Sequence, residues 1–194
     1  MGTSVNQRSS ASPSWAAARA VLGNVQAPIE RQSEEIWRAA AADTDANLIP
    51  RLGGAEFAYA AQLAETSSGP LGAREAYDTY LAKAGVLSVV AEFARRALVR
   101  AVADHAGSLG YARELFAEAA SYYIARDLPS IVGKSVRVAT PSEAALLKQQ
   151  IADIARSRAA TVANSLPQGQ WAKSTLGWKR YVAAVVASLR EKPR

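Results

Sequence analysis

The chain has 194 residues, no cysteine and a single histidine, His105. This composition excludes disulfide-stapled folds, cysteine-ligated metal sites and cysteine nucleophiles, and it leaves a histidine-dependent catalytic triad one possible anchor. Alanine, the strongest intrinsic helix former, supplies 43 residues. Because the chain is long enough to bury one real core, we expect an all-α, single-domain helical bundle of about seven helices over residues 14–194, preceded by a flexible tail over residues 1–13.

The net charge of +6 is unevenly distributed along the chain. Residues 128–194 hold eleven basic and three acidic residues, whereas the segments 1–50 and 51–127 are close to neutral. Such a basic segment favours contact with nucleic acid or another anionic surface, although it also serves solubility alone. The chain lacks an apolar stretch of about 18 residues, and its N-terminus lacks the order of a signal peptide. We therefore predict a cytoplasmic protein with no membrane partner, no bound metal and no cofactor.

Apolar residues recur at helical spacing through most of the chain. We predict breaks at 43–54, 66–70 and 167–169, and a division at Gly85 within the long helical pattern of residues 72–105. Pro129 is expected to end the helix that starts near Gly107, because proline disfavours helical backbone in the preceding residue. Residues 130–139 are then predicted to form an ordered, extended loop. The predicted helices, in chain order, cover residues 15–22, 28–42, 55–65, 72–105 with the division at Gly85, 108–126, 141–164 and 175–190.

The motifs that resemble catalytic or nucleotide-binding sites do not support such chemistry. Gly133-Lys134-Ser135 resembles the end of a phosphate-binding loop, but Leu128 stands where that loop needs glycine, and a helix precedes it instead of a strand. His105 is interpreted as a helix-terminal residue that the helix dipole favours. With no second histidine and no cysteine to form a pair, we predict that the chain is not an enzyme.

Arg158 lies on an apolar stripe of its predicted helix, beside Ile151 and Ile154. A guanidinium there must be paired, must extend its head to solvent, or must face a partner. An inward-facing Arg158 requires an acidic residue such as Glu92 or Asp104. The simpler interpretation, which we favour, is that the helix bends or is exposed at that point.

Three aromatic residues near the C-terminus alternate with basic residues. Aromatic rings interleaved with positive charge suit single-stranded nucleic acid, whereas helical spacing places Trp178 and Tyr181 on the packing stripe of the last helix, which favours a core role. The aromatic residues are Trp171, Trp178 and Tyr181. The basic residues that a nucleic-acid or partner interface could use are Lys134, Arg137, Arg158, Lys173, Lys179 and Arg180.

The N-terminus is the remaining chemical feature. Removal of Met1 is normal before glycine, and it would expose the Gly2 amine, whose pKa near 8 makes it a usable acceptor for covalent modification. Because every protein has an N-terminus, these residues alone do not show whether Gly2 is modified.

Met1-Gly2-Thr3-Ser4, followed by small polar residues, resembles the start of the small helical subunit of the bacterial Qat anti-phage defence operon. Two further segments are similar to that family: Arg126-Asp127-Leu128-Pro129 leading to Gly133, and Gly177-Trp178-Lys179-Arg180-Tyr181. The resemblance covers the tail and these two segments, and none of them is a catalytic signature.

The resemblance implies a specific set of partners. Such operons encode an ATPase, this small subunit, a protein resembling 7-cyano-7-deazaguanine synthase, and a nuclease-like protein. The synthase-like enzyme would attach a deazapurine group to the amine of Gly2 and would recognise Thr3 and Ser4 in its cleft. The expected function is therefore a non-enzymatic adaptor of a defence complex, and the alternative is a nucleic-acid-binding accessory protein that uses the basic C-terminal third.

Overall fold

The computed structural model describes residues 33–34, 37–38, 41, 48–104, 107–135, 141–167 and 170–191. All regular secondary structure in these ranges is α-helical, which confirms the predicted all-α class. The described residues between Ser33 and Ala41 are helical and belong to the segment predicted as residues 28–42. Seven further helices have defined bounds in the described part: α1 (Leu48–Leu52), α2 (Ala55–Thr66), α3 (Pro70–Ala84), α4 (Val89–Ala103), α5 (Gly107–Ser135), α6 (Pro141–Ser165) and α7 (Thr175–Arg190).

The helices form one bundle around α4 and α5. These two helices make the most extensive helix–helix contact, and the next most extensive joins α5 to α6. Helix α4 also contacts α2 and α3, while α7 packs on α1, α2 and α6. The bundle therefore has a charged side, where α3 to α6 are neighbours, and an aromatic side around α7.

Buried alanines bring the helix axes close together. Ala60 and Ala61 of α2 are fully buried, as are Ala94 and Ala97 of α4, and these two helices pack against each other. A side chain no larger than a methyl group allows helices to approach towards the short end of the usual separation of about 8–10 Å. Larger side chains fill the remaining core, and the largest of those that are fully buried are Trp178, Tyr77, Tyr111, Tyr181, Phe57 and Phe116.

Most predicted helix boundaries are confirmed, and local chemistry explains them. Gly85 ends α3 in the left-handed conformation, with φ of 66°, as a glycine at a helix C-cap commonly does. The Ser88 hydroxyl accepts a hydrogen bond from the Ala91 N–H at the start of α4. At the start of α7, the Ser174 hydroxyl accepts from the Gly177 N–H in the same way.

The predicted C-terminal end of helix α5 is wrong. Helix α5 continues through Pro129 to Ser135, so residues 130–135 are helical rather than an extended loop. A proline inside a helix removes only its own N–H bond and crowds the preceding turn, and packing can outweigh that cost. Here α5 runs alongside α6 in one of the two most extensive contacts of the bundle. Gly133, which falls within the predicted loop, is therefore part of this helix.

The predicted break at residues 43–54 is also only partly right, because it contains α1. Leu48 and Leu52, four residues apart, are both buried, and they pack this short helix against α7. The predicted tail over residues 1–13, the predicted helix at 15–22, His105 and residues 136–139 lie outside the described residues.

Candidate functional site

The aromatic side of the bundle is a packed core cluster around Trp178. The rings of Trp171 and Tyr181 stack with centroids 4.3 Å apart, and Tyr111 lies 5.4 Å from Trp178. The Trp178 indole N–H donates to the Leu52 carbonyl oxygen at 2.6 Å, and the Tyr181 hydroxyl donates to the Ala159 carbonyl oxygen at 3.0 Å. All of these rings are buried, so they cannot stack on a nucleic-acid base, and the core interpretation is confirmed.

The basic residues that flank this cluster face outward. Lys173 lies just before α7, and Lys179 and Arg180 lie on its outer side, all three exposed. Because Trp178 and Tyr181 occupy the inner side of the same turn, the outer side carries consecutive positive charges. The structure therefore brings Lys173, Lys179 and Arg180 to one end of α7.

Arg158 belongs to a different part of the surface. It is half-buried on α6 and lines a shallow cleft with Glu34, Trp37 and Leu189. Leu189 lies ten residues after Lys179 on α7, or about 15 Å along the helix axis. Arg158 therefore does not join the exposed basic residues at the start of α7. Neither Glu92 nor Asp104 pairs with it within the described residues.

The other two basic residues of the predicted interface, Lys134 and Arg137, are not placed at a surface site by the described structure. Lys134 lies near the C-terminal end of α5, in a stretch where the backbone alone is described. Arg137 lies outside the described residues, as do Gly2, Thr3 and Ser4.

The charged side of the bundle carries an ion-pair ladder that the sequence interpretation missed. Ten charged side chains from α3, α4, α5 and α6 alternate in sign, and each contacts the next. In order, the ladder is Arg74–Asp78–Arg95–Glu92–Arg96–Glu118–Arg100–Glu114–Arg156–Asp153. Such a network connects four helices through their surface residues.

The links between helices differ in closeness. Arg95 of α4 reaches Asp78 of α3 at 3.6 Å. Arg100 forms a close pair with Glu118 of α5, and Arg96 approaches the other oxygen of Glu118 at 3.7 Å. One carboxylate thus holds two arginines that stand one helical turn apart on α4.

Arg156 of α6 is the most fully paired arginine of the ladder. Its Nε donates to Glu114 Oε1 at 3.0 Å, and its Nη1 donates to Asp153 Oδ1 at 2.8 Å. Partial burial opposes the charge, but the hydrogen bonds to Glu114 and Asp153 outweigh it, and the pKa of Arg156 is raised. This arginine therefore serves to join α5 and α6.

The two carboxylates that α5 contributes to the ladder lie deeper than the α4 arginines that they contact. The side chains of Glu118 and Glu114 are 9% and 17% exposed, whereas those of Arg96 and Arg100 are 55% and 52% exposed. A signal for part of this arrangement is present in the sequence, because Glu92, Arg96 and Arg100 follow one another at four-residue spacing. The partners on α5 and α6 become visible only when the helices are assembled.

Two buried tyrosines form a second polar feature inside the bundle. The hydroxyl groups of Tyr77 and Tyr111 are buried and have no hydrogen-bond partner within the described residues. Burial raises the pKa of both phenols, and the negative charge of Glu56 raises them further. They remain neutral and contribute apolar ring surface to the core.

Within the described part of the chain, no helix combines the length and apolarity that crossing a membrane requires. The same residues contain no group of three or more histidine, aspartate or glutamate side chains placed to hold a metal ion. Because its rings are buried, the aromatic cluster has a structural role, and the basic end of α7 and the ion-pair ladder are the charged features of the described surface that we consider as candidate sites. No family model, no curated protein and no solved structure matches this chain.

Proposed function

We propose that the chain is a helical adaptor subunit of a Qat-type bacterial anti-phage defence complex and that Gly2 accepts a deazaguanine-type group from a partner enzyme. The observation that carries this proposal is the resemblance of Met1–Ser4, together with that of the Gly177–Tyr181 segment. The adaptor itself performs no catalysis in this scheme. Its bundle positions the tail, and its partners are the synthase-like enzyme and the ATPase of the same operon.

The chemistry on the tail is amide formation. After Met1 is removed, the neutral Gly2 amine attacks the activated carboxylate of a deazapurine, the nucleotide that activates it departs, and the amine loses a proton. The partner enzyme supplies the activating nucleotide. Thr3 and Ser4 enter its cleft beside the acceptor.

The arrangement of the Gly177–Tyr181 segment supports a docking role for the bundle. Gly177 permits a close approach to Trp171, because a Cβ there would lie 2.8 Å from the Trp171 carbonyl oxygen. That approach seats Trp178 in the core and leaves Lys179 and Arg180 on the outside. Docking through this exposed pair would raise the effective concentration of the tail at the partner's active site.

Intact mass and peptide mapping test the modification directly. The protein co-expressed with its operon neighbours should lack Met1 and carry an adduct on Gly2. The Thr3→Asp/Ser4→Asp variant should lose the adduct, whereas Ser9→Asp/Ser10→Asp, with the same charge change in the same tail, should keep it. An unmodified Gly2 in the presence of an active synthase-like enzyme would falsify the proposal.

A charge-reversal pair tests the docking surface. Lys179→Glu/Arg180→Glu should slow modification of Gly2, while Lys83→Glu/Arg113→Glu, which changes exposed residues on α3 and α5, should not. Equal rates for both pairs would remove the basic end of α7 from the docking model and leave the acceptor role to the mass measurement.

A second candidate function is nucleic-acid binding, which the exposure of Lys173, Lys179 and Arg180 favours. Phosphate contacts predict an affinity that falls steeply with salt, and each lost contact lowers the slope of log K against log salt by about 0.7–0.9. Replacing these three residues by glutamine should weaken binding to DNA or RNA, with Lys83→Gln/Arg113→Gln as the control. The absence of binding in low salt would eliminate this function.

A further inference from the structure

Four arginines and one glutamate line an open groove of about 240 Å³ on the charged side of the bundle. We call this the arginine groove, and it is lined by Arg74, Glu92, Arg95, Arg96, Val99 and Arg100. Arg74 comes from α3 and the other lining residues come from α4. Although the ion-pair ladder as a whole is electrically balanced, the groove exposes more of its arginines than of its carboxylates.

Depth keeps the two α5 carboxylates out of the groove, while Asp78, which is 43% exposed, contacts Arg74 and Arg95 from outside the lining. Glu118 and Glu114 hold Arg96 and Arg100 but do not line the groove, and the side chain of Glu118 is 9% exposed. A deeply placed carboxylate neutralises charge beneath the groove and fixes the guanidinium groups in position. The walls therefore carry four positive charges against the single negative charge of Glu92.

The arginines also keep hydrogen-bond donors for another molecule. Arg100 contacts both Glu118 and Glu114 through Nη1, so its Nε and Nη2 hydrogens are unused within the described residues. Arg74 contacts Asp78 through Nε at 3.6 Å, which leaves both of its Nη groups. A guanidinium has five N–H donors in a planar fork that matches the oxygens of a phosphoryl group.

We propose that the arginine groove binds a small phosphorylated anion with at least two phosphoryl charges. Arg96 and Arg100 stand one turn apart, about 6 Å along α4, and Arg74 faces them from α3. Such a span suits two linked phosphoryl groups better than a single phosphate. The groove is smaller than usual cofactor pockets of about 300–1,000 Å³, so it holds a compact anion or the phosphate end of a larger ligand.

This site does not depend on the proposed defence function, since it rests on the middle third of the chain and not on the tail or α7. It also differs from the nucleic-acid alternative, which uses the basic end of α7. A purely structural ladder would stabilise the helix contacts without needing the unused arginine donors, and binding measurements separate the two roles.

Calorimetric titration of the full-length protein with inorganic pyrophosphate, at low ionic strength, tests the site. We expect saturable binding at one site, tighter than that of inorganic phosphate. Arg74→Gln should weaken it at least about fivefold, because a charge-assisted contact is lost. Arg74 suits this test because its ion pair is exposed, so the fold does not depend on it.

Two further variants control for charge and shape. Lys83→Gln makes the same charge change at an exposed residue outside the groove and should leave pyrophosphate binding unchanged. Val99→Phe keeps every charge but fills the groove, and it should weaken binding by at least about fivefold, because it removes the space that the anion occupies. Circular dichroism and unfolding curves establish that each variant is folded.

Three results would overturn the proposal. Pyrophosphate that does not bind at low ionic strength removes the site. Equal weakening by Arg74→Gln and Lys83→Gln shows an adventitious ion only. A single-stranded oligonucleotide that binds through Arg74 while pyrophosphate does not bind shows that the groove contacts a nucleic-acid backbone rather than a small anion.

Discussion

The aromatic cluster around α7 and the ion-pair ladder across α3 to α6 hold the same bundle together by different physics. The cluster buries large rings, and Trp178 and Tyr181 donate hydrogen bonds to the backbone carbonyls of Leu52 and Ala159. The ladder joins helices through charges that are partly exposed to water and therefore screened by salt. The comparison indicates that the cluster sets the stability of the fold, whereas the ladder adjusts it and leaves a charged surface available for binding.

Truncation inside the cluster should have the largest effect. Trp178→Ala removes a fully buried indole and leaves the Leu52 carbonyl oxygen without its donor. The expected loss is about 3–5 kcal/mol in the free energy of unfolding, measured by chemical denaturation. Lys179→Ala, on the outer side of the same turn, should change it by less than about 0.5 kcal/mol. If both variants unfold at the same denaturant concentration, the cluster is not the dominant core.

Alkaline pH should lower the stability of the fold through its buried tyrosines. Burial raises the pKa of Tyr77, Tyr111 and Tyr181 above the ordinary value for tyrosine. Because the folded state favours the neutral phenols, their contribution is fully present below about pH 10, the pKa in the unfolded chain, and is lost as pH rises further. The loss is up to about 1.4 kcal/mol per tyrosine for each pH unit.

Absorbance near 295 nm and denaturation curves measured between about pH 9 and pH 11 follow this loss. The three buried phenols should ionise only as the protein unfolds, so tyrosinate absorbance and loss of helix should rise together. Ionisation of all seven tyrosines in a protein that is still folded would contradict the burial.

Removing the deepest carboxylate of the ladder should have an intermediate effect. Glu118→Gln keeps the side-chain volume but leaves Arg96 and Arg100 without the charge that holds both. We expect a loss of about 1–3 kcal/mol, less than for a fully buried pair because both arginines reach solvent. Glu75→Gln, an exposed residue on α3, is the matched control.

Salt distinguishes the two regions in the same experiment. The difference in stability between wild type and Glu118→Gln should shrink as ionic strength rises, because screening weakens the ladder. The deficit of Trp178→Ala should not shrink. A Glu118→Gln deficit that is independent of salt would mean that this residue acts through packing.

The same contrast explains how much could be predicted from the sequence. The cluster follows from local pattern, since Trp178, Tyr181 and Val185 recur at helical spacing, and α7 begins and ends where predicted. The ladder depends on which helices become neighbours. Glu92, Arg96 and Arg100 follow one another at four-residue spacing in the sequence, but the pairing of Arg96 with Glu118 spans a helix contact that periodicity does not define.

The continuation of α5 past Pro129 was missed for a related reason. Local preference favours an end there, whereas the contact of α5 with α6 is a tertiary effect. The core role of Trp178 and Tyr181 could therefore be predicted from the periodicity of a single helix. The charged site required the assembled bundle.

The outer end of the ladder should contribute least to stability. Arg74 and Asp78 are 54% and 43% exposed and lie 3.6 Å apart, so their attraction competes with water and with side-chain entropy. Arg74→Gln should change the free energy of unfolding by less than about 0.5 kcal/mol. A larger loss would show that the ladder stabilises as a cooperative unit and not pair by pair. A small loss accompanied by weaker pyrophosphate binding would separate the binding role of this arginine from the stability of the fold.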